Sequence, residues 1–179
     1  MPVYVDEAGV LASIRFGVGT NPQPDSPRLT ALVPNRPLSR FPAEQLWPAA
    51  GEVARLTVAG AEAAADDRSL FVSIECPVGS DSRIDALTFD VYRRLLRDVE
   101  LAGFPHVLRI WNYLPCIHDV TAGIDRYMLF CKGRAEAFAA HYGPEFSDRL
   151  SAASAVGCPG DALVVHVLAS REQIGRAHV

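Results

Sequence analysis

The sequence predicts an α+β domain of two layers, a mixed β-sheet with two helices packed on one face. Three observations lead there. Two segments with apolar residues at helical spacing, one from Ile84 to Val99 and one from Ile124 to Phe138, are each followed by a glycine and a proline. Short stretches of alternating apolar and polar residues precede, separate and follow them. The chain has 179 residues, 49% of them apolar and 21% charged, a size and balance that suit one domain with a substantial core.

Taken in order, Leu11 to Val18 (LASIRFGV) forms one strand that ends at the Gly17/Gly19 bend. Eight of the thirteen prolines fall in the first 48 residues, so NPQPDSPRLTALVPNRPLSRFP is not expected to be regular helix or central strand. Residues 20–50 then form a long surface segment anchored by Trp47, either a functional loop or an arm covering part of the sheet. Glu52 to Ala59 and Ser69 to Cys76 alternate as strands, and the alanine-rich link between them suggests an antiparallel pair or a helical turn. Ser82 and Asp85 resemble a capping box for the first helix, whose apolar stripe runs Ile84, Leu87, Val91, Leu95 and Val99 up to Gly103 and Pro105. Val107 to Tyr113 is a strand with Arg109, Trp111 and Tyr113 on one face and Leu108, Ile110 and Asn112 on the other. The second helix starts after Thr121 or Gly123 and stops at Gly143-Pro144, with Ile124, Tyr127, Cys131, Arg134 and Phe138 along one stripe. Gly133 in its middle costs ~1 kcal/mol relative to alanine, which points to close packing there. Ala152 to Gly157 and Ala162 to Ala169 are two strands around a CPGD turn.

A formal charge of -4 gives no electrostatic case for nucleic acid or an acidic membrane as partner. Of the 17 basic residues only Lys132 is lysine, so an anion site must rely on guanidinium groups. No apolar run approaches the ~20 residues of a membrane span, and the N-terminus does not read as a signal peptide. Cys76, Cys116, Cys131 and Cys158 form no CxxC pair and are expected to be thiols in a reducing compartment. The expected location is cytoplasmic.

GxSxG, HExxH, Walker A and paired CxxC motifs are missing. Gly17 and Gly19 begin like a dinucleotide fingerprint, but Pro22 stands where its third glycine belongs. Cys116, His118 and His106 lack a fourth partner for a metal. Arg126 and Arg134 lie two turns apart, with Tyr127 and Tyr113 near them in sequence. Such a set could hold a small dicarboxylate through guanidinium forks and phenol donors. Alternatively, the arginines are solvated or paired with Asp125 and Glu136, and Tyr113 and Trp111 are core. Asn112, His141 and His166 suit structural roles.

The residues RIWNYLP, RY, F-C-x-G-R-A-x-A-F, AASAVG and L-V-V-H-V-L-A-x-R, in that order, resemble the N-terminal half of the chorismatase family. LWP before the first hairpin and YRRLL in the first helix fit the same pattern, so the resemblance runs over roughly residues 45–172. It implies a RidA/YjgF-like fold and a cofactor-free cleavage of chorismate that releases pyruvate. The other product would be a dihydroxycyclohexadiene carboxylate or a 3- or 4-hydroxybenzoate. It further implies that the general acid is a glutamate of a C-terminal half, so no catalytic residue is expected in this chain. Arg134, Arg126, Tyr113 and Tyr127 are the substrate-binding candidates, and the C-terminal domain is the expected partner. Two positions depart from related patterns. Cys116 stands where an acidic residue is expected, and Ala153 replaces the arginine that RidA-type deaminases carry in a P-A-R strand motif.

The expected organisation is a Pro-rich segment with one strand (1–50), the α+β domain (51–173) and a tail (174–179). That tail, IGRAHV, matches a reading frame of a common sequencing adapter, so it is expected to be non-native, and the chain a fragment that is inactive alone. The competing readings are a stand-alone RidA-like module binding a small carboxylate and a purely structural support for a partner domain.

Overall fold

A computed structural model describes residues 9–17, 28–35, 43–79, 83–121 and 123–173. Ser82 and the 174–179 tail, on which two of the expectations above rest, lie outside the described residues. Among the described residues no helix is long and apolar enough to cross a membrane.

The main sheet has six strands: β4 (Ala54–Val58), β5 (Ala61–Ala65), β6 (Ser69–Pro77), β7 (His106–Pro115), β10 (Ala152–Cys158) and β11 (Ala162–Ser170). Their order is β10-β7-β11-β6-β5-β4, antiparallel except for the β10–β7 pair. Helices α1 (Ile84–Leu101) and α2 (Arg126–Tyr142) cover one face. The expected α+β unit is therefore present, with its two helices on one side of a mixed sheet.

The alanine-rich link is itself a strand. Ala59 (φ 54°) and Gly60 (φ 78°) make a two-residue turn with both residues left-handed, the hairpin geometry that matches strand twist. That turn inserts β5 between β4 and β6. Ala63, Ala64 and Ala65 are buried on alternating faces, where small side chains let both neighbouring layers approach. Alanine is a poor residue for a left-handed position, so Ala59→Asn is expected to raise stability by about 1 kcal/mol, read as a shift of the urea midpoint at constant slope.

The described residues of the N-terminal stretch carry three strands, β1 (Val10–Phe16), β2 (Leu29–Val33) and β3 (Ala43–Pro48), rather than one. They form a small sheet of order β2-β1-β3, β1 being parallel to β2 and antiparallel to β3. The prolines remain compatible with this because Leu29 to Val33 is free of proline and both outer strands pair on one side only. This sheet lies on the face of the main sheet opposite the helices. Leu11, Ile14, Leu29 and Val33 pack there with Phe71, Tyr113 and Val164, and Trp47 meets Trp111 edge to face at 5.6 Å. The molecule thus has a third layer beyond the expected two.

Helix α1 buries Ile84, Thr88, Val91, Tyr92, Leu95, Leu96 and Val99. Its end is a Schellman motif: Phe104 N–H donates to the Val99 carbonyl, Gly103 N–H to that of Glu100, and Gly103 has φ 86°. Among the described residues the Asp85 carboxylate accepts from Arg83 Nη2 at 2.7 Å and from Lys132 Nζ at 3.2 Å. These cations, Arg83 first, hold Asp85 at a pKa of about 2.

Asp125 caps α2 by accepting from Met128 N–H at 2.6 Å. The buried face of α2 is Phe130, Gly133, Ala137 and Phe138, so the helix is turned away from the expected stripe and leaves Ile124 and Tyr127 exposed. The cause is Gly133. A Cβ there would lie within 3.0 Å of Asp85 Cα and would overlap its carbonyl, so the two helices cross backbone to backbone at this point.

Candidate functional site

Where α1, α2 and β7 meet, Tyr92, Asn112 and Arg134 form one chain of polar groups. On the helix face of β7, Asn112 stands between Ile110 and Leu114, all three buried. A polar side chain between two core positions requires partners, and Asn112 has two. Its Oδ1 accepts from the Tyr92 hydroxyl at 2.6 Å, and its Nδ2 donates to the Ser154 carbonyl of β10 at 2.9 Å. Burial pushes the Tyr92 phenol well above its usual pKa range, against the opposing influence of the nearby Arg134 and of Asn112. Tyr92 therefore stays a neutral donor.

Arg134 covers this chain from α2. Its guanidinium carbon lies 5.1 Å from the Phe138 ring centroid and 5.9 Å from that of Tyr92. The Tyr92 hydroxyl is also within its hydrogen-bonding reach. Nε of Arg134 is buried and has no hydrogen-bond partner among the described residues. A cation held on aromatic faces and short of acceptors suits an anionic ligand. Tyr127 and Cys131 continue the same helix face toward the N-terminus of α2, and the Tyr127 hydroxyl is held above its ordinary range chiefly by its hydrogen bond with the Cys131 thiol.

The four binding candidates do not form one cluster. Arg134 and Tyr127 share a face of α2. Arg126 begins that helix, its N–H donating to the Asp119 carbonyl. Tyr113 lies on the other face of the main sheet, under the small sheet, with its ring centroid 5.6 Å from that of His166. Burial raises its phenol pKa. Among the described residues, Asp125 caps α2 and Glu136 faces Lys132 at 3.9 Å, rather than pairing with the arginines. Tyr92 and Asn112 are the members that sequence reasoning passed over or read as structural. Asn112 carried a usable signal, a polar residue among inward-facing apolar ones.

Around this cluster the surface is open. Among the described residues strand β10 pairs with β7 alone, and Val156 on it is exposed, as is Leu150 just before it. Strands β8 (Val120–Thr121) and β9 (Ile124–Asp125) form a short hairpin that leads into α2. Val120 and Ile124 on the hairpin, and Met128 in the first turn of the helix, are also exposed. A second feature lies at the ends of β7 and β10. Residues 116–119 bound an open cleft together with Asn35, Gly157 and Cys158. Asn35 Nδ2 donates to the Gly157 carbonyl at 3.0 Å, tying the small sheet to the main one. Cys116 begins the loop in a left-handed conformation, φ 52°.

Comparison with known proteins adds the following. Residues 45–169 match the model of the chorismatase FkbO/Hyg5-like N-terminal family. A 3-hydroxybenzoate synthase of Streptomyces hygroscopicus is 34% identical over 98 residues, 54% of this chain and 28% of that protein. A crystal structure of a chorismatase superposes with a TM-score of 0.80 at 25% identity, covering 97% of this chain and 52% of that one. The chain thus spans about half the length of that chorismatase, and its alignment with the synthase spans less. A putative translation initiation inhibitor from Salmonella typhimurium aligns more loosely, with a TM-score of 0.44 at 11% identity over 66% of this chain and 96% of that one.

Proposed function

The chain belongs to the FkbO/Hyg5-like chorismatase family through its N-terminal domain, and from that premise we propose that it supplies one wall of a chorismate-cleaving site. The reaction is cleavage of the enol ether of chorismate with release of pyruvate and no cofactor. The product is a dihydroxycyclohexadiene carboxylate or a hydroxybenzoate. The observation that carries this reading is Arg134, a guanidinium stacked on Tyr92 and Phe138 with a buried Nε left without an acceptor.

Cleavage requires a proton for the enolpyruvyl methylene and cations to hold two carboxylates. Arg134 fits the second need, with the Tyr127 hydroxyl as an added donor and Arg126 at the head of the same helix. Aromatic contact keeps the guanidinium in place, so a carboxylate meets an oriented fork. None of these side chains suits the first need, because Tyr92 and Tyr127 are both held in their neutral forms above the usual phenol range. The proton donor is then a carboxylic acid of the C-terminal half, which docks along the exposed hairpin and β10 edge.

Pyruvate release from chorismate, coupled to NADH oxidation by lactate dehydrogenase, tests the proposal. The chain alone is expected to release none, and to release it once the C-terminal half of a chorismatase is added. Turnover by the chain alone would place the acid within it and overturn the division of labour. A calorimetric titration of chorismate into the chain gives a second readout. Binding is expected to weaken about tenfold or more in Arg134→Gln, the loss of one charge-assisted contact, and unchanged affinity would remove Arg134 from the site.

A further inference from the structure

We propose that Cys116 and Cys158 form a thiol–disulfide exchange site that closes the cleft at the ends of β7 and β10. The two cysteines are 42 residues apart in sequence but are brought together by the parallel pairing of these strands. In that register Cys158 stands opposite Pro115, and Cys116 is the next residue along. Both line the same cleft, Cys116 exposed and Cys158 half-buried. The left-handed backbone at Cys116 is a strained position for a residue with a side chain. It turns the chain out of β7 directly after the residue that pairs with Cys158. The other two thiols are elsewhere: Cys76 pairs with Leu163 near the end of β6, and Cys131 lies on α2 against Tyr127.

The roles follow from access. Cys116, open to solvent, is the attacking sulfur. Its thiolate attacks a low-molecular-weight disulfide such as oxidised glutathione, the S–S bond of that molecule breaks, and one thiol leaves. Cys158 then loses its proton and attacks Cys116 Sγ in the mixed disulfide, expelling the second thiol. The chain loses two electrons and two protons, and the small disulfide is reduced to two thiols. Burial, with Cys116 beside it, pushes the Cys158 thiol up to about 11, which suits a resolving sulfur rather than a first nucleophile. The bond would tie the 116–119 loop to the β10–β11 turn, across the mouth of the cleft that Asn35 borders. This chemistry does not depend on chorismate.

Incubation of the native chain with oxidised glutathione, followed by alkylation and peptide mapping, tests it. The expected result is a peptide linked through Cys116 and Cys158, reversed by dithiothreitol, with Cys76 and Cys131 alkylated as in the untreated chain. Cys158→Ser is expected to trap glutathione stably on Cys116, and Cys116→Ser to leave Cys158 unmodified. Lasting glutathione on Cys116 of the native chain without the linked peptide would overturn the proposal. So would a bond from either cysteine to Cys76 or Cys131. The map of the native chain decides the matter even if a variant fails to fold.

Discussion

Gly133→Ala is expected to lower stability by about 3 kcal/mol, despite alanine being the better helix former. The helical gain is ~1 kcal/mol. Against it stands a methyl group placed into the Asp85 backbone, with nothing flexible to yield, because the obstructing atoms are the carbonyl, its carbon and Cα. Relief requires α1 and α2 to separate, which loosens the contacts of Tyr92 with Phe130 and Phe138, at centroid distances of 6.3 and 6.0 Å. Overpacking of a rigid core costs roughly 1–3 kcal/mol, and here it adds to lost aromatic contact. Gly133→Val, with two more methyl groups and a stiff rotamer, is expected to prevent folding. Urea denaturation followed by circular dichroism measures both. Wild-type stability in the alanine variant would show that the helices can part without loss.

Acid is expected to destabilise the protein well above the range in which carboxylates titrate, and His166 is the reason. Its side chain is fully buried between the two sheets, against Phe71 and Tyr113. The Leu32 carbonyl slightly favours the charged ring, but neither ring nitrogen makes a well-aligned hydrogen bond among the described residues. Burial therefore lowers its pKa to about 4. Above the unfolded value of ~6.5 both states are neutral and stability does not depend on this group. Below it the unfolded chain takes a proton that the folded chain refuses, so stability falls as pH drops from about 6.5 toward 4. The full loss is on the order of 3 kcal/mol. Asp85, whose folded pKa is lowered to about 2, adds its own loss as pH falls from the ordinary carboxylate value of ~3.8 toward 2. Urea midpoints at neutral pH and near pH 5 should diverge in the wild type and coincide in His166→Leu. A variant as acid-sensitive as the wild type would assign the effect elsewhere.

Much of this architecture was legible in the sequence, for identifiable reasons. The two helices, the strands around them and the close approach at Gly133 follow from spacing and from glycine and proline positions, which act locally. The third layer was less visible, because prolines argued against strands while only pairing partners decide whether an edge strand tolerates them. A signal was present in Ala162 to Ala169, which is apolar at nearly every position, as a strand covered on both faces is. The rotation of α2 could not be read from its own sequence, since a stripe through Tyr127 and Cys131 is as regular as the true one. The constraint lies across the interface, at Asp85. For the same reason Arg134 could be proposed from its residue type, but not its seat on Tyr92 and Phe138, and Tyr113 could not be assigned to the opposite face until the sheet had two covered sides.

The position of β11 has a consequence for how the molecule assembles. This strand, the last among the described residues, is a middle strand of the sheet, hydrogen-bonded to β6 on one side and β7 on the other. Until residues 162–170 have left the ribosome, β7 with β10 and β6 with β5 and β4 are two separate half-sheets, each with an unpaired edge. Their joining is a late, long-range closure, the kind of step that loop entropy makes slow. During synthesis the chain passes through a stage in which two open edges face each other with nothing between them, and there it is most exposed to pairing with the wrong strand.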